Sequence, residues 1–216
     1  MHCLQRRLIT VVFWYLERLK RKLFKRLNME DLDLRCLITK LSDKNELVFI
    51  HGRRVARLAC AITEAMKYFD VEIEIIFQAA VVHDIGKIQL PTEIVNKPGP
   101  LDNSEFTIIK KHPELGYYLL RNLKSETIVA QVALQHHERL DGSGYPFGLR
   151  GGKIILPSRI IAVADVIDTI VSAQVYRPAS TMGKARQEIK QNSGLLYDPE
   201  VVAASLLLIK KGEFSV

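Results

Sequence analysis

The stretch EIEIIFQAAVVHDIGK, residues 72–87, runs from an apolar segment directly into a histidine and an aspartate. The apolar pattern of residues 72–82 predicts a buried helix, with His83 and Asp84 at its C-terminal end. A buried polar group without a partner costs about 1–3 kcal/mol. A metal ion is one compact partner for both side chains. This stretch therefore predicts a helical core with a polar, metal-binding centre at a helix end.

Side chains of the same kind recur along the chain. Five of the six histidines lie within residues 51–137, and a further aspartate follows at residue 165. A single histidine is more often packed or solvated than bound to metal, but adjacent His–Asp and His–His pairs concentrate ligand atoms. Imidazole and carboxylate groups with no cysteine nearby favour iron or manganese over a structural zinc. The candidate ligands are His51, His83, Asp84, His112, His136, His137 and Asp165.

Helical spacing brings some of these candidates together. Val132 and His136 are four residues apart, so His136 is expected to face the core, and His137 approaches the same centre from the helix end. Asp165 and Asp168 share a stripe of an otherwise apolar helix. A buried acid requires a partner. We therefore expect Asp168 to act as a hydrogen-bonding or capping residue, and orienting a metal ligand is one form of that role.

The periodicity is mostly helical from residue 43 onward. We predict helices over 48–68 and 72–82, and further helices near 104–111, 114–123, 125–137, 158–173, 182–192 and 198–210. Residues 96–100 and 138–157 are rich in glycine and proline and are predicted loops. No internal repeat and no convincing sheet pattern occurs. The sequence thus predicts an all-α bundle.

The basic charge of the chain is concentrated at its N-terminus. The 216 residues carry a formal net charge of +7, from 31 Lys and Arg against 24 Asp and Glu. Residues 1–27 contain eight of these basic residues and one acidic residue, so the remainder is neutral. A neutral body argues against broad electrostatic binding of DNA or RNA. The length and the 48% hydrophobic content suit one domain with a short appendage.

The N-terminal segment has the pattern of an amphipathic helix. Leu8, Val12, Tyr15, Leu19 and Leu23 recur every three or four residues, with the basic residues largely off this stripe. The apolar run at 8–16 is much shorter than the about 20 residues that span a bilayer. We expect residues 1–40 to form this helix and a linker, and residues 41–216 to form the domain. The helix would pack on the domain or on a second copy as a homodimer contact, or bind an anionic membrane surface.

The cysteines indicate a reducing compartment. Cys3, Cys36 and Cys60 are odd in number and have no CxxC spacing, so neither a disulfide framework nor a zinc knuckle is suggested. We therefore expect a cytoplasmic protein, with any membrane contact made by the basic helix.

Several motifs occur in a fixed order. They are His83–Asp84–Ile85–Gly86–Lys87, Lys97–Pro98–Gly99, His112–Pro113, His136–His137–Glu138–Arg139 and Asp141–Gly142–Ser143–Gly144–Tyr145–Pro146. This ordered set, from about residue 46 to residue 202, resembles the HD-GYP domain. That domain is a branch of the HD phosphohydrolases that hydrolyses the bacterial second messenger cyclic di-GMP. The resemblance implies an HD-type helical bundle and a metal-dependent phosphodiesterase.

The resemblance also implies a binuclear metal centre. One ion would be held by His51, His83, Asp84 and Asp165, and the other by His112, His136 and His137, with Asp84 bridging. Two adjacent cations lower the pKa of a bridging water and neutralise a phosphodiester under attack. The expected reaction is in-line attack of the bridging hydroxide on cyclic di-GMP, which gives pGpG and, on further cleavage, GMP.

Three residues are implied as substrate contacts. Lys87 would stabilise charge on the phosphate, with a plain surface lysine as the alternative. The Gly144–Tyr145–Pro146 turn is similar to the family's signature loop, which borders the substrate groove and helps to attract partner signalling proteins. Tyr145 either contacts the nucleotide or shapes this loop. Arg177 is the leading basic contact for the ligand.

Two positions depart from the family pattern. Some members bind a third metal through a glutamate four residues before the first histidine, where this chain has Leu47. Glu46 is one residue too early, and one helical step rotates a side chain by about 100°. We therefore predict two metals.

Gln174 stands where the family often has arginine. The loss of a charge-assisted hydrogen bond, worth about 1.5–3 kcal/mol, predicts weaker or altered nucleotide affinity. The alternative function is thus a weakly active or inactive cyclic-dinucleotide receptor or protein-interaction module.

Overall fold

The computed structural model describes residues 32–68, 73–122, 127–172 and 179–212. Within these ranges the chain is helical and forms no β-strand, which confirms the all-α prediction. The predicted amphipathic helix at 1–27 lies outside the described residues, as do Gln174 and Arg177. None of the described helices is both long enough and apolar enough to cross a bilayer.

Ten α-helices are formed in the described ranges. The first five are α1 (Leu32–Lys44), α2 (Glu46–Ala65), α3 (Ile73–Val82), α4 (Thr92–Val95) and α5 (Asn103–Ile109). The others are α6 (His112–Leu120), α7 (Thr127–Gln135), α8 (Leu156–Val171), α9 (Met182–Gln191) and α10 (Pro199–Lys211). Two short 3₁₀ helices, Ile85–Gln89 and Gly151–Lys153, follow α3 and precede α8.

Each helix predicted from the sequence has a counterpart, but four begin one or two residues earlier than expected, among them α6 and α8. Helix α6 begins at His112 and α8 at Leu156, each with a proline in its first turn. Proline is tolerated there because the first amide hydrogens of a helix have no intrahelical acceptor. Pro157, expected to end a loop, therefore starts a helix.

Helix α1 was not predicted. Its Leu34, Ile38 and Leu41 side chains are fully buried in the core, and they recur every three or four residues. The domain boundary expected between residues 40 and 41 falls inside this helix.

Helices α2, α3 and α8 form the centre of the bundle. Their apolar faces are buried, with Phe49 and Ile62 from α2, Ile76 from α3, and Ile160 and Ile161 from α8 among the largest enclosed side chains. A Leu, Ile or Phe side chain contributes about 1.5–3 kcal/mol when it is fully buried. The packing of these side chains fixes the relative positions of α2, α3 and α8, which carry or end at candidate metal ligands.

Two glycines allow the close approaches that assemble the centre. A Cβ at Gly52 would lie 2.4 Å from the Val81 carbonyl oxygen, so this glycine lets α2 pack directly on α3. A Cβ at Gly86 would lie 2.0 Å from the His112 carbonyl oxygen, so the 3₁₀ helix after α3 can touch the start of α6. Both contacts lie beside candidate ligands, since His51 precedes Gly52 and Asp84 lies two residues before Gly86.

Candidate metal centre

The bundle brings all seven candidate ligands to one place. They come from α2, the end of α3, the start of α6, the end of α7, and α8. They form two groups, and within each group the potential ligand atoms lie within 4.8 Å of one another. The first group is Asp84, His112, His136 and His137, and the second is His51, His83 and Asp165.

Asp84 lies between the two groups. Its Oδ1 atom is 3.2 Å from His112 Nε2, and its Oδ2 atom is 3.5 Å from His83 Nε2. One carboxylate thus directs an oxygen to each group. Burial would raise the pKa of Asp84, but Lys87 and His83 hold it well below its usual range. Asp84 is therefore ionised at neutral pH.

Three histidines are oriented by backbone carbonyl groups three residues earlier in the sequence. The Nδ1 atoms of His83, His112 and His136 lie 2.7, 2.7 and 2.9 Å from the carbonyl oxygens of Ala80, Ile109 and Ala133. A carbonyl oxygen only accepts, so each Nδ1 donates its hydrogen, and the lone pair of each neutral ring sits on Nε2. Burial lowers the pKa of His83 to about 4 and also lowers the pKa of His112, so both rings are neutral at pH 7.

The unprotonated Nε2 atoms converge. His112 Nε2 and His136 Nε2 are 3.2 Å apart, and Asp84 Oδ1 lies 3.2 Å from the first and 3.7 Å from the second. The buried Asp84 Oδ1 accepts no hydrogen bond from the part of the chain that the structure describes. Three acceptor atoms that face one another repel unless a cation lies among them. Together with the all-N/O donor set, this arrangement fits a divalent metal ion.

In the second group, His51 is oriented by side chains instead. His51 Nδ1 lies 2.7 Å from Asp168 Oδ2, and His51 Nε2 lies 3.0 Å from Asp165 Oδ1. Burial opposes protonation of His51, but Asp165 and Asp168 outweigh this effect and raise its pKa to about 9. The space at His51 Nε2 therefore favours a positive charge.

Asp168 is held from several sides. Its fully buried carboxylate accepts hydrogen bonds from Arg54 Nε at 2.6 Å, Arg54 Nη2 at 3.0 Å and Ser172 Oγ at 3.1 Å, besides the bond from His51. Burial would raise the pKa of Asp168, but His51 and Arg54 lower it. The partner that a buried acid requires is thus Arg54, which the sequence analysis did not single out. The sequence feature that could have indicated this role of Arg54 is its position three residues after His51, on the same face of the same helix.

Lys87 is tied to the centre. Its Nζ atom donates to Asp84 Oδ2 at 2.6 Å, and its side chain is 22% exposed. The ammonium group therefore lies at the boundary between the buried ligands and an open cavity, where it also forms part of the cavity wall.

A cavity of about 560 Å³ lies over the centre. Such a volume is within the range of about 300–1,000 Å³ that small-molecule sites occupy. The polar residues that line the cavity include His51, His112, His137, Asp165, Lys87, Arg139 and Tyr145. The apolar residues that line it include Leu47, Ile94, Val95, Leu101 and Phe106. A ligand with both a charged and a flat apolar part would match this mixed lining.

The signature loop lies against the ligands. The Tyr145 ring stacks on the His137 ring, with centroids 4.7 Å apart and an interplanar angle of 28°. Burial raises the pKa of Tyr145, so its hydroxyl remains a donor at neutral pH. The buried Glu138 carboxylate accepts the backbone N–H groups of Phe147 at 2.8 Å and Leu149 at 2.9 Å. Glu138 thus holds the loop, a role for which spacing in the sequence gave no signal.

Leu47 stands in the cavity wall near His51. Helix α2 is continuous from Glu46 to Ala65, so Leu47 lies one turn before His51. Its side chain is 58% exposed and lines the cavity, whereas Glu46 does not. The helix therefore presents an apolar side chain at the position where a carboxylate would face the centre.

The sequence matches the HD domain family over residues 35–201. The chain belongs to the HD domain family. The match begins inside α1 and ends near the start of α10, so it covers all of α2 to α9 and confirms the family resemblance seen in the motifs.

Two curated relatives are similar to this HD domain. The cyclic di-GMP phosphodiesterase response regulator RpfG of Xanthomonas campestris pv. campestris is 43% identical over 155 residues, which cover 71% of this chain and 41% of that protein. The 3′3′-cGAMP-specific phosphodiesterase 1 of Vibrio cholerae is 38% identical over 157 residues, which cover 72% of this chain and 36% of that protein. This HD domain thus spans less than half the length of either relative.

A solved structure shares the fold. The structure described as Bd1817, an HDG"Y"P protein from Bdellovibrio bacteriovorus, matches with a TM-score of 0.64 at 19% identity, over 77% of this chain and 53% of that chain. At this identity the likeness shows a common helical architecture.

Proposed function

We propose that this HD domain is a metal-dependent phosphodiesterase that opens cyclic di-GMP to linear pGpG. The observation that carries the proposal is the pair of ligand groups, with Asp84 between them, beside the 560 Å³ cavity that His51, His112, His137 and Asp165 line. The relatives named for hydrolysis of cyclic di-GMP and of 3′3′-cGAMP support the same class of substrate. Further cleavage of pGpG to GMP is a slower second step in this proposal.

The proposed cofactors are two divalent ions, iron or manganese. His51, His83 and Asp165 would hold one and His112, His136 and His137 the other, with Asp84 between them. When bound, such ions supply Lewis-acid activation of water and charge neutralisation at the phosphodiester. Both groups consist of nitrogen and oxygen donors, which suits these metals. Leu47 in the cavity wall supports two metals rather than three.

The other polar residues of the cavity act on the substrate. Lys87 Nζ, anchored by Asp84, places a positive charge where a phosphate would enter. Tyr145, whose raised pKa keeps its hydroxyl protonated, donates a hydrogen bond to the nucleotide in this proposal. Arg177 remains a proposed basic contact on the strength of its sequence position, since it lies outside the described residues.

Several proposed partners rest on the sequence. These are partner signalling proteins at the loop around Tyr145, a second copy of the chain at the N-terminal helix, and an anionic membrane surface at the same helix. Liposome flotation with and without residues 1–27 tests the last of these. A bound fraction that does not depend on the segment would remove membrane attachment.

The activity is tested by chromatography of cyclic di-GMP after incubation with iron- or manganese-loaded protein. Asp84→Ala removes the shared carboxylate and is the control for contaminating hydrolases. Linear product from the unmutated protein alone supports the phosphodiesterase. Binding by both proteins without product formation would instead support the receptor function that Gln174 suggests. Turnover of another nucleotide in place of cyclic di-GMP would reassign the substrate.

A further inference from the structure

Two asparagine side chains form a hydrogen-bonded pair in the wall of the cavity, away from the candidate ligands. Asn45 Nδ2 donates to Asn96 Oδ1 at 2.9 Å, and both residues line the cavity. Asn45 is buried at the start of α2, and Asn96 is half-buried at the end of α4. Neither residue was singled out by the sequence analysis, and neither contributes a ligand atom to the metal centre.

A backbone amide fixes the orientation of both side chains. The Val48 N–H group donates to Asn45 Oδ1 at 3.1 Å as part of the N-terminal cap of α2. Since an N–H group requires an acceptor, the Asn45 oxygen must face Val48, and its Nδ2 must face the other way. Asn96 must then present its oxygen to Asn45. The two amide orientations therefore follow from the helix cap alone.

Asn96 offers the cavity a hydrogen-bond donor. Its Oδ1 already accepts from Asn45, and among the described residues its Nδ2 donates no hydrogen bond. Ile94 and Val95, its neighbours in sequence, and Phe106 line the same cavity. A flat apolar ligand with acceptor atoms on its edge would satisfy both features.

Guanine and adenine differ in the hydrogen-bonding groups at positions 6 and 7 of the purine ring. Guanine presents two acceptors, N7 and O6, whereas adenine presents the N7 acceptor beside an N6 amino donor. The Asn96 Nδ2 donors match the guanine edge, but they would face the adenine amino group donor to donor. We propose that Asn96 selects guanine over adenine in the cyclic dinucleotide, and that Asn45 is the positioning residue that holds Asn96 in the selective orientation. This inference rests on the proposed function for the identity of the ligand.

The proposal predicts an order among three substrates that share the same phosphate ring. Cyclic di-GMP and 3′3′-cGAMP can both place a guanine beside Asn96, so both are preferred over cyclic di-AMP. Selectivity is measured as the ratio of kcat/KM for cyclic di-GMP to kcat/KM for cyclic di-AMP. A change in net charge of the protein affects the two anionic substrates equally and largely cancels in this ratio.

Two single variants reverse the donor pattern by different routes. In Asn96→Asp, one oxygen still accepts from Asn45, and the other faces the cavity as an acceptor. In Asn45→Asp, the cap on Val48 is kept, but the second oxygen now requires Asn96 to turn its Nδ2 toward residue 45 and its oxygen toward the cavity. Both variants should lower the selectivity ratio by about tenfold, the loss expected for one hydrogen bond with its donor reversed.

Asn103→Asp is the matched control. Asn103 is exposed at the start of α5 and does not line the cavity, so the same chemical change there should leave the ratio unaltered. The decisive result is the Asn45→Asp variant, because a residue that merely caps α2 would not change base selectivity when replaced by an equally good cap. A ratio within about twofold of the unmutated value in both cavity variants would overturn the proposal.

Binding measurements test the base selection independently of the proposed phosphodiesterase activity. The dissociation constants of slowly hydrolysed phosphorothioate analogues of cyclic di-GMP and cyclic di-AMP are measured by calorimetry with the metal-loaded protein. A guanine preference that falls in both variants upholds the base selection even if no cyclic dinucleotide is hydrolysed, in which case only the catalytic proposal fails. Equal affinity of the unmutated protein for the two analogues would overturn the base selection even if both substrates are hydrolysed.

Discussion

The two ligand groups of the centre are built by different means. In the group of His112, His136, His137 and Asp84, the two histidines with resolved Nδ1 partners bond to carbonyl oxygens three residues earlier in sequence. In the group of His51, His83 and Asp165, His51 is held by Asp168, 117 residues away, and Asp168 is held in turn by Arg54 and Ser172. His83, in the second group, is also held locally, by the Ala80 carbonyl. The first group is therefore oriented locally, whereas the second depends, at His51, on contacts between distant parts of the chain.

The two groups should differ in how easily a single mutation can disturb them. A carbonyl oxygen in a helix is placed by the fold itself and is not removed by a side-chain substitution. A carboxylate that orients a ligand can be removed by one mutation, and such outer partners typically contribute about 10–100-fold to metal affinity. We therefore expect the His51 group to be the one that mutation and pH can disable separately.

Asp84→Asn should have the largest effect, because Asp84 directs one carboxylate oxygen to each group. The substitution removes the negative charge that faces both sets of ligand atoms, so we expect both metals to be lost and hydrolysis of cyclic di-GMP to fall by at least about 1,000-fold. Metal content by mass spectrometry and product formation by chromatography measure the two effects. Asp102→Asn, at the exposed cap of α5, is the control. Retention of two metals by Asp84→Asn would show that the groups are independent.

Asp168→Asn should disable one group only. The substitution keeps the shape of the side chain but removes the charge that orients His51 and pairs with Arg54. We expect the affinity for one of the two metals to fall by about 10–100-fold, with the other unchanged. Titration with Mn²⁺, followed by electron paramagnetic resonance, counts the two sites. Equal weakening of both sites would contradict the separate construction of the groups.

The sequence predicted the ligands far better than the residues that orient them. All seven ligands carry side chains that are rare in a helical core, so His and Asp stand out against the apolar periodicity. Arg54 and Glu138 are ordinary surface-type residues in sequence, and their roles arise from contacts with Asp168 and with the backbone of residues 147 and 149. Such contacts depend on tertiary packing, which periodicity does not encode.

Helix α1 and the Asn45–Asn96 pair also depend on tertiary contacts that the sequence pattern does not show. Helix α1 has a clear apolar stripe in Leu34, Ile38 and Leu41, but it is short and adjoins the basic segment. Its place in the core is defined by its packing against α2. The Asn45–Asn96 pair was likewise invisible in sequence, because a loop and a helix cap 51 residues apart meet only in the folded chain.

Low pH should weaken the His51 group more than the other. The two carboxylates near His51 raise its pKa to about 9, so below that pH a proton competes with a metal for Nε2. The pKa of His112 is lowered by burial, so at this ligand the competition is absent above the ordinary histidine range. We expect the affinity of one site to fall by about tenfold per pH unit from pH 8.5 to 6.5 while the other stays nearly constant.

Mn²⁺ titrations at several pH values measure this difference directly. Asp168→Asn provides an internal check, because loss of one carboxylate lowers the pKa of His51 and should shift the pH dependence of that site toward lower pH. If the two sites showed the same pH dependence, proton competition at His51 would not distinguish them.

Ser172→Ala should have the smallest effect, because it removes one of four hydrogen bonds to the Asp168 carboxylate. Arg54 and His51 still hold the carboxylate, so we expect metal affinity at the His51 group to fall by about twofold to fivefold, the equivalent of roughly 0.5–1 kcal/mol. Ser205→Ala, whose hydroxyl donates to the Val201 carbonyl in α10, removes a buried hydrogen bond away from the centre and should leave both affinities unchanged. An effect of Ser172→Ala as large as that of Asp168→Asn would mean that the serine, rather than Arg54, fixes the position of the carboxylate. The long-range support of His51 would then come from within α8 itself, and the contrast between the two groups would narrow.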